Sequence, residues 1–270
     1  MQSRTTLTLA FVLGLVWFLH AGPARAVAPD ADVLMKDAHL KMYYAGDDGT
    51  ASVTMTITDK RGKTRDREFV MLRKDFEEGG EQRYFVYFSK PNDVRRMTFM
   101  AWKNPEGDDS RWIFVPALDL VKPLSSNDKK SSFVGSDFAY EDVSGRHWTD
   151  DSHTFLREEE MGGYQTWVVE SVPKEKDYFA RKTTWIDQES GLVLKEVYLD
   201  KKDNELKIFE TTKIETIEGH PTALERKMTT PRKKNSTAIV FHDIDYDQGV
   251  TEDIFSERYL KSPPRKYIGN

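Results

Sequence analysis

Three carboxylates that lie close together in the sequence, Asp137, Glu141 and Asp142, are the first residues that could do chemistry. A pair of carboxylates can divide the work of general acid and general base. The surrounding residues supply no nucleophile or second catalytic group, and the spacing is not that of the known calcium-binding loop. Carboxylates in loops commonly accept hydrogen bonds from backbone N–H groups, and Gly135 beside them is typical of a turn. The sequence therefore favours loop capping, and we predict that the protein is not an enzyme.

A second polar group consists of His147, Asp150, Asp151 and His153. A metal site would need these ligands to converge on one point, but the two histidines are six residues apart, a spacing without special metal geometry. We therefore predict a solvated polar loop, with no metal and no cofactor. The sequence also lacks the glycine loop that cradles phosphates, the Cys/His pattern of zinc sites and the nucleophile elbow of hydrolases.

Aromatic residues form the third and most informative group. Residues 111–143 begin as an aromatic and β-branched strand, break at Pro116, and end in a loop that contains Phe133, Phe138 and Tyr140. Large aromatic side chains in a loop are costly to expose, so these three must cover something apolar. Either the protein's own core or a hydrophobic ligand would meet that requirement, and the aromatic residues of the strands are compatible with both. Several methionines favour a cavity slightly, because methionine adapts to variable apolar partners.

Residues 1–26 are predicted to be a cleaved signal peptide that is not part of the fold. They begin with the basic Arg4, continue with an uncharged apolar run from Leu7 to Leu19, and end in Ala24-Arg25-Ala26, which matches the small-x-small cleavage pattern. The apolar run is shorter than the roughly 20 residues of a comfortable membrane span, so an uncleaved anchor is the less favoured alternative. The mature chain, from Val27 onward, is expected to be exported.

Composition limits the partners of the chain. The 270 residues include no cysteine, which excludes disulfides and a lipid-modified N-terminal cysteine, so the protein is not itself a lipoprotein. Removal of the leader would take away Arg4 and Arg25 and change the net charge from −5 to −7. A mildly acidic chain with interspersed charges is a poor nucleic-acid binder, and we expect no nucleic-acid partner. Residues 27–270 are long enough for one large domain, and we predict a single one.

The elements that must position these residues are predicted to be mainly β-strands. An apolar stripe from Val33 to about Tyr44, with Asp30 or Asp32 as N-cap, predicts one helix. The apolar period then changes to two, and turns divide the chain into about a dozen antiparallel strands, followed by a short helical piece at 251–260. A sheet this long curls, and strands that are apolar on both faces need a cover on the second face. The helix and the aromatic loop are the available covers.

Four segments resemble the LolA-like outer membrane lipoprotein-sorting protein family. They are YFVYFSKPNDV at 84–94, the strand at 97–102, RWIFVP at 111–116 and FVGSDFAYEDV at 133–143. The resemblance covers nearly the whole mature chain, and the last segment is its most specific part. It implies an unclosed antiparallel half-barrel of the LolA/LolB type with a helical and loop lid on its concave side. This chain departs from the family pattern at Lys90, where LolA has a functional arginine, and at residues 117–143, which lack the helical periodicity of the LolA lid.

The resemblance also implies a function. Members are periplasmic and bind the acyl chains of a lipid or lipoprotein in the hollow of the half-barrel. The implied partners are those acyl chains, an inner-membrane transporter of the RND/MMPL type and, as a further candidate, an outer-membrane receptor, with cargo moving from the inner to the outer membrane. The alternatives are a lipid-sensing or lipoprotein-sensing regulatory module of the same fold, a lipid hydrolase that uses Asp137 or Glu141, and a structural module with a solid core.

These considerations give a predicted ligand site. The polar rim of the site is predicted to contain Lys90, Asp137 and Glu141. The hydrophobic cavity and its lid are predicted to be lined by Met35, Phe85, Tyr87, Met100, Trp102, Trp112, Phe114, Phe133, Phe138, Tyr140, Trp167 and Trp185.

Overall fold

The computed structural model describes residues 28–125 and 128–268, so the predicted signal peptide lies outside the described residues. Within these described residues, one α-helix, α1 (Ala31–Tyr43), precedes all the strands, as the sequence predicts. Asp30 caps the start of α1, because its carboxylate accepts hydrogen bonds from the backbone N–H groups of Asp32 and Val33. No helix in the described ranges is long and apolar enough to cross a membrane.

Thirteen strands follow α1 in the described part of the chain, which agrees with the prediction of about a dozen. A short helix, α2 (Tyr140–Ser144), lies between β6 and β7, and α3 (Glu257–Lys261) and α4 (Arg265–Ile268) follow the last strand. The strands are β1 (Asp48–Thr58), β2 (Thr64–Asp75), β3 (Gln82–Lys90), β4 (Thr98–Lys103), β5 (Ser110–Val115), β6 (Leu120–Leu124), β7 (Asp151–Met161), β8 (Tyr164–Pro173), β9 (Arg181–Asp187), β10 (Val193–Leu199), β11 (Glu205–Ile217), β12 (His220–Thr230) and β13 (Asn235–Tyr246).

All thirteen strands belong to one antiparallel sheet that is not closed into a barrel. Its order is β6-β5-β4-β3-β2-β1-β13-β12-β11-β10-β9-β8-β7, so β6 and β7 are its two open edges. The pairing of β1 with β13 joins the first hairpins to the last ones, with Met55 opposite Ile239. This arrangement confirms the predicted unclosed half-barrel. Helix α1 and the lid loop (residues 133–143) pack on its concave face.

Two buried polar side chains of the sheet fix the end of α1. Arg73 in β2 donates hydrogen bonds to the carbonyl oxygens of residues 43, 45 and 46. Gln82 in β3 donates to the carbonyl oxygen of Tyr43 at 2.7 Å, and both side chains also donate to the carboxylate of Asp75. The last carbonyl groups of a helix have no partners within the helix, so these bonds satisfy them and hold α1 on the sheet.

Side chains alternate between two apolar cores, one on each face of the sheet. In the concave core, Phe133 of the lid loop packs against the rings of Phe69, Phe88 and Phe99, with ring centroids 5.7–6.2 Å apart. The outer core contains Phe85, Met100 and Phe114 among its buried residues. The two-faced apolar pattern of β3, β4 and β5 therefore reflects burial on both sides.

The cover of the outer face differs from the predicted one. Both predicted covers, the helix and the lid loop, lie on the concave face, and residues 250–267 cover the outer face instead. Trp102 donates a hydrogen bond to the carbonyl oxygen of Phe255 at 2.9 Å, and Thr98 donates to that of Leu260 at 2.8 Å. The prediction was wrong because strand alternation reveals an apolar second face but not which distant segment packs on it.

The connection between β5 and β7 contains more regular structure than the sequence indicates. Residues 117–143 lack a helical period, yet β6 forms there and pairs with β5, and α2 starts at Tyr140. Most of β6 is exposed and it contains Pro123, which is compatible with its position at the edge of the sheet. A short exposed segment has no apolar period, so a pattern-based prediction treats it as loop.

Candidate functional site

A cavity of about 170 Å³ lies between the concave face, α1 and the lid loop. An apolar cavity of about 150 Å³ is known to stay dry and to bind benzene, so this volume suits a small apolar group. The helix contributes Met35, Ala38 and Met42 to the wall, and the lid loop contributes Phe133 and Phe138. The apolar part of the sheet wall includes Ala51, Phe69, Met71, Val193, Phe209, Ala223, Met228, Ile239, Phe241 and Ile244.

Five predicted site residues lie on the concave face. Met35, Phe133 and Phe138 line the cavity. Tyr140 packs behind this wall, with its ring centroid 5.4 Å from that of Phe133, and Trp167 packs against the concave core from β8. Phe133 therefore belongs both to the core and to the cavity wall.

The structure corrects the predicted position of the other aromatic site residues. Trp185 alternates with Ile186 of the concave core, which puts Trp185 on the outer face, where its indole N–H donates to Glu159. Residues on both faces of these strands are aromatic, so composition alone does not distinguish the cavity side from the outer side. Six further residues of the predicted cavity belong to the outer core: Phe85, Tyr87, Met100, Trp102, Trp112 and Phe114.

Two residues of the predicted polar rim lie away from the cavity wall. Lys90 is an exposed side chain at the end of β3 and pairs with Glu68 at 3.0 Å. Asp137 accepts hydrogen bonds from the hydroxyl groups of Thr230 and Thr237, at 2.6 and 2.8 Å. Asp137 thereby fastens the lid loop to β12 and β13, which is a structural use of its carboxylate.

The third predicted rim residue, Glu141, is buried and pairs with Arg146 at 3.7 Å. Its neighbour Asp142 does line the cavity, and it caps α2 by accepting a hydrogen bond from the backbone N–H of Ala139 at 2.6 Å. Asp142 also pairs with Lys207 of β11. Each carboxylate of the lid loop therefore has hydrogen-bond or ion-pair partners that account for its position.

The polar group at residues 147–153 is less solvated than predicted. Asp151 is 3% exposed and accepts hydrogen bonds from Arg146, with the shortest at 2.8 Å. His153 is held by the carbonyl oxygen of Trp148 and the hydroxyl of Ser171, each at 2.8 Å. Over residues 28–125 and 128–268, no group of three or more His, Cys, Asp or Glu side chains is placed to hold a metal ion.

Charged side chains of the sheet also reach the cavity, and the sequence pattern did not identify them. Lys182 of β9 and Glu196 of β10 form an ion pair of 2.6 Å in the wall. Arg226 of β12 lines the cavity beside Ala223 and Met228. The signal that could reveal Arg226 is its position two residues before Met228, because residues two apart in a strand share a face.

His39 of α1 is buried among aromatic rings at one side of the cavity. Its ring centroid lies 5.2 Å from that of Tyr43, 5.1 Å from that of Trp148 and 5.7 Å from that of His147. Its Nε2 atom has no hydrogen-bond partner among the described residues. Burial first, and then the charge of Lys103 and the neighbouring His147, hold the pKa of His39 well below its ordinary value.

We expect acid to weaken the folded state through His39. In the unfolded chain, His39 binds a proton with the ordinary histidine pKa of about 6.5. In the folded protein, His39 stays neutral to a lower pH. Stability that is present above about pH 6.5 is therefore lost as the pH falls, by at most about 1.4 kcal/mol per pH unit for this group. The variant His39→Phe should flatten the dependence of the unfolding free energy on pH, measured by urea denaturation between about pH 5 and 7. His242→Phe, at an exposed position of β13, is the control, and equal slopes for wild type and His39→Phe would contradict the assignment.

The unclosed half-barrel, covered on its concave face by a helix and a loop, is a LolA-like fold. A protein-family model with the description "-like: Uncharacterized protein" matches residues 80–262, more than half of the chain. The chain belongs to that family. Similar solved structures confirm that its fold is LolA-like, as predicted. No curated protein matches the chain.

Three solved structures illustrate the likeness. A DUF1329 family protein from Desulfovibrio piger is 26% identical, with a TM-score of 0.79 over 86% of this chain and 100% of its own. A domain from Vibrio parahaemolyticus, provisionally named as outer membrane lipoprotein-sorting, is 24% identical, with a TM-score of 0.79 over 86% of this chain and 98% of its own. A LolA superfamily protein from Nitrosomonas europaea is 16% identical, with a TM-score of 0.66 over 87% of this chain and 100% of its own. The last two likenesses show the fold.

Proposed function

We propose that this protein is a periplasmic carrier that binds the acyl chains of a lipid or lipoprotein in the cavity and acts by binding and release. The observation that supports this most directly is the cavity itself, whose lining is mostly apolar and which is covered by a helix and a loop. Four methionines line it, and flexible thioether side chains adapt to chains of differing shape. These methionines are Met35, Met42, Met71 and Met228.

The size of the cavity implies that its cover moves when a long chain binds. Each buried methylene contributes about 0.8 kcal/mol, so a chain of about 14–16 carbons contributes on the order of 10 kcal/mol before costs. A cavity of about 170 Å³ holds only part of such a chain. Polar contacts such as the hydrogen bond from Thr230 to Asp137 join the lid loop to the sheet. Breaking these contacts to open the lid costs free energy. That cost lowers the net affinity and favours release, which a carrier requires.

We further propose a route from the inner to the outer membrane. The donor would be an inner-membrane transporter of the RND/MMPL type, and an outer-membrane receptor is the candidate acceptor. The resemblance of residues 84–94 and 133–143 to a LolA-like branch associated with such exporters supports this route, and so does the sorting role in the name of the Vibrio domain. The signal-peptide pattern of residues 1–26 supports a periplasmic location.

Native mass spectrometry of the purified protein tests the carrier directly. We expect adducts with the masses of lipids or acylated peptides, and uptake of a neutral fluorescent alkyl probe after delipidation. A lipid-free protein that takes up no probe would argue for a structural module. Probe uptake without transfer of cargo between inner-membrane and outer-membrane vesicles would favour the sensing module, and turnover of a lipid ester would favour a hydrolase.

Filling part of the cavity should weaken ligand binding without unfolding the protein. Ala223 lies in the cavity wall, and the variant Ala223→Phe places a phenyl ring where the chain would lie. We expect about a tenfold loss of probe affinity, because displacing two methylenes of the ligand costs about 1.6 kcal/mol. The neighbour Leu224 does not line the cavity, so Leu224→Phe is the matched control. Unchanged affinity in a folded Ala223→Phe protein, verified by circular dichroism, would place the ligand elsewhere.

A further inference from the structure

One charged side chain of the cavity wall, that of Arg226, differs from the others because no opposite charge lies beside it in the part of the chain that the structure describes. Arg226 has no carboxylate within ion-pair distance among the described residues, although it lies in the same wall as several paired charges. Isolated charges are rarely placed in apolar surroundings, because removal from water is costly unless a partner of opposite charge is present. The paired charges of the wall are Arg73, Asp142, Arg146, Asp151, Lys182 and Glu196.

The hydrogen bonds of Arg226 leave most of its guanidinium unused. Nε donates to the carbonyl oxygen of Ala223 at 3.2 Å, and the guanidinium carbon lies 4.8 Å from the centroid of the Phe241 ring. Nη1 and Nη2 donate to no acceptor in the described part of the chain. Arg226 stands opposite Ile239 of the cavity wall in the β12–β13 pairing, which places both on the concave face. Arg226 is half-buried, and this burial lowers the pKa of its guanidinium.

A second polar group of the cavity also lacks a partner. The side chain of Tyr84 lines the cavity and is 2% exposed, and its hydroxyl has no hydrogen-bond partner among the described residues. Buried hydroxyl groups are almost always hydrogen-bonded in folded proteins, so an unpaired one requires an explanation. A ligand oxygen inside the cavity would satisfy such a group. Arg226 and Tyr84 thus both offer N–H or O–H donors and no negative charge.

We propose that Arg226 forms the head-group subsite for an amphiphile with one anionic group, a carboxylate or a phosphate, whose chain occupies the methionine-lined part of the cavity. A guanidinium suits this role because its planar fork forms paired N–H···O bonds with either anion. A neutral amphiphile would leave Arg226 without a counter-charge. The subsite rests on the proposed carrier function, since it assigns the polar end of the same ligand.

Three twelve-carbon ligands that differ only in the head group test the subsite: dodecanol, dodecanoate and dodecyl phosphate. Their affinities are measured by displacement of a neutral alkyl probe at about pH 8, where the carboxylate is ionised. For the wild type we expect at least one of the two anions to bind about tenfold or more tightly than the alcohol, in line with a charge-assisted hydrogen-bonded pair. Whichever anion shows the preference identifies the head group. The variant Arg226→Gln should lose that preference, so that the ratio of anion affinity to alcohol affinity falls toward one.

A control variant separates a local contact from an effect of net charge. Arg65 is exposed in β2, so Arg65→Gln makes the same charge change away from the cavity and should keep the preference. If Arg226→Gln does not fold, Arg226→Lys is the alternative variant. It keeps the charge but lacks the planar pair of N–H donors, so its preference for the anion over the alcohol should be reduced. Equal binding of the alcohol and both anions by the wild type would contradict the proposed subsite. So would an undiminished preference for the anion in the Arg226 variant. Neither result would contradict the proposed carrier function. Failure of the wild type to bind any of the ligands or the probe would overturn both.

Discussion

Replacing Arg146 by methionine should lower the free energy of unfolding by about 3–5 kcal/mol, because it removes the cation from a buried group of carboxylates. The side chain of Arg146 is only 12% exposed. It pairs with Asp151 at 2.8 Å and with Asp177 at 2.9 Å, and both carboxylates are nearly buried. Removing one partner of such a cluster leaves buried negative charge without compensation, which costs more than the cluster contributes as a whole.

The loss should centre on Asp151. Glu141 and Asp177 keep the second cations that hold them, Lys129 at 3.2 Å and Lys130 at 2.7 Å. Asp151 has no other cation within ion-pair distance among the described residues. Adding Asp151→Asn to the Arg146→Met protein should therefore restore part of the stability, and urea denaturation of the single and double variants measures this coupling.

An exposed ion pair provides the matched control for Arg146. Arg157 pairs with Glu159 at 2.6 Å on β7, but its side chain is 49% exposed. Arg157→Met should therefore cost no more than about 1 kcal/mol. If Arg146→Met and Arg157→Met lose similar amounts of unfolding free energy, Arg146 contributes no more to stability than a surface residue. The residues next to the lid loop should also exchange amide hydrogens faster in Arg146→Met, since local opening precedes global unfolding where few contacts remain.

The parts of the fold that the sequence predicts are those with a local signal. The apolar stripe and Asp30 are sufficient for α1 and its N-cap, because a helix start depends on hydrogen bonds between neighbours in the chain. The period of two is sufficient for most strands, and turn residues mark their ends. The lid is predictable for a similar reason, since Phe133 and Phe138 are too apolar for an exposed loop.

The site was predicted less well because it depends on pairing between distant strands. Alternation separates Phe85 from Tyr84, but it does not reveal that Tyr84 faces the cavity and Phe85 the outer core. Arg226 and Lys182 come together in one wall only through the register of the later strands. The choice of cover is a further nonlocal property, and Phe255 packs on strands more than 150 positions earlier in the chain. Such contacts need the topology of the sheet as well as the pattern of each strand.

Phe255→Ala should destabilise the protein by about 3–5 kcal/mol, the usual cost of truncating a fully buried phenylalanine. Phe255 is 1% exposed and belongs to the outer core with Phe85, Met100 and Phe114. Its loss leaves a cavity beneath residues 250–267 and weakens the segment whose backbone accepts the hydrogen bond of Trp102. The unfolding midpoint in urea should fall accordingly. Phe76→Ala, at a position that is 38% exposed, should change the free energy of unfolding by about 1 kcal/mol or less.

This variant also separates the outer core from the ligand site. Phe255 packs on the face of the sheet opposite the cavity, so a folded Phe255→Ala protein should bind the neutral alkyl probe with unchanged affinity. Ala223→Phe should show the reverse behaviour, with weakened binding and a smaller change in stability. Loss of probe binding in the folded Phe255→Ala protein would place acyl chains on the outer aromatic face, around Trp102 and Trp112. Equal stability of the Phe255 and Phe76 variants would show instead that the C-terminal cover contributes little to the fold.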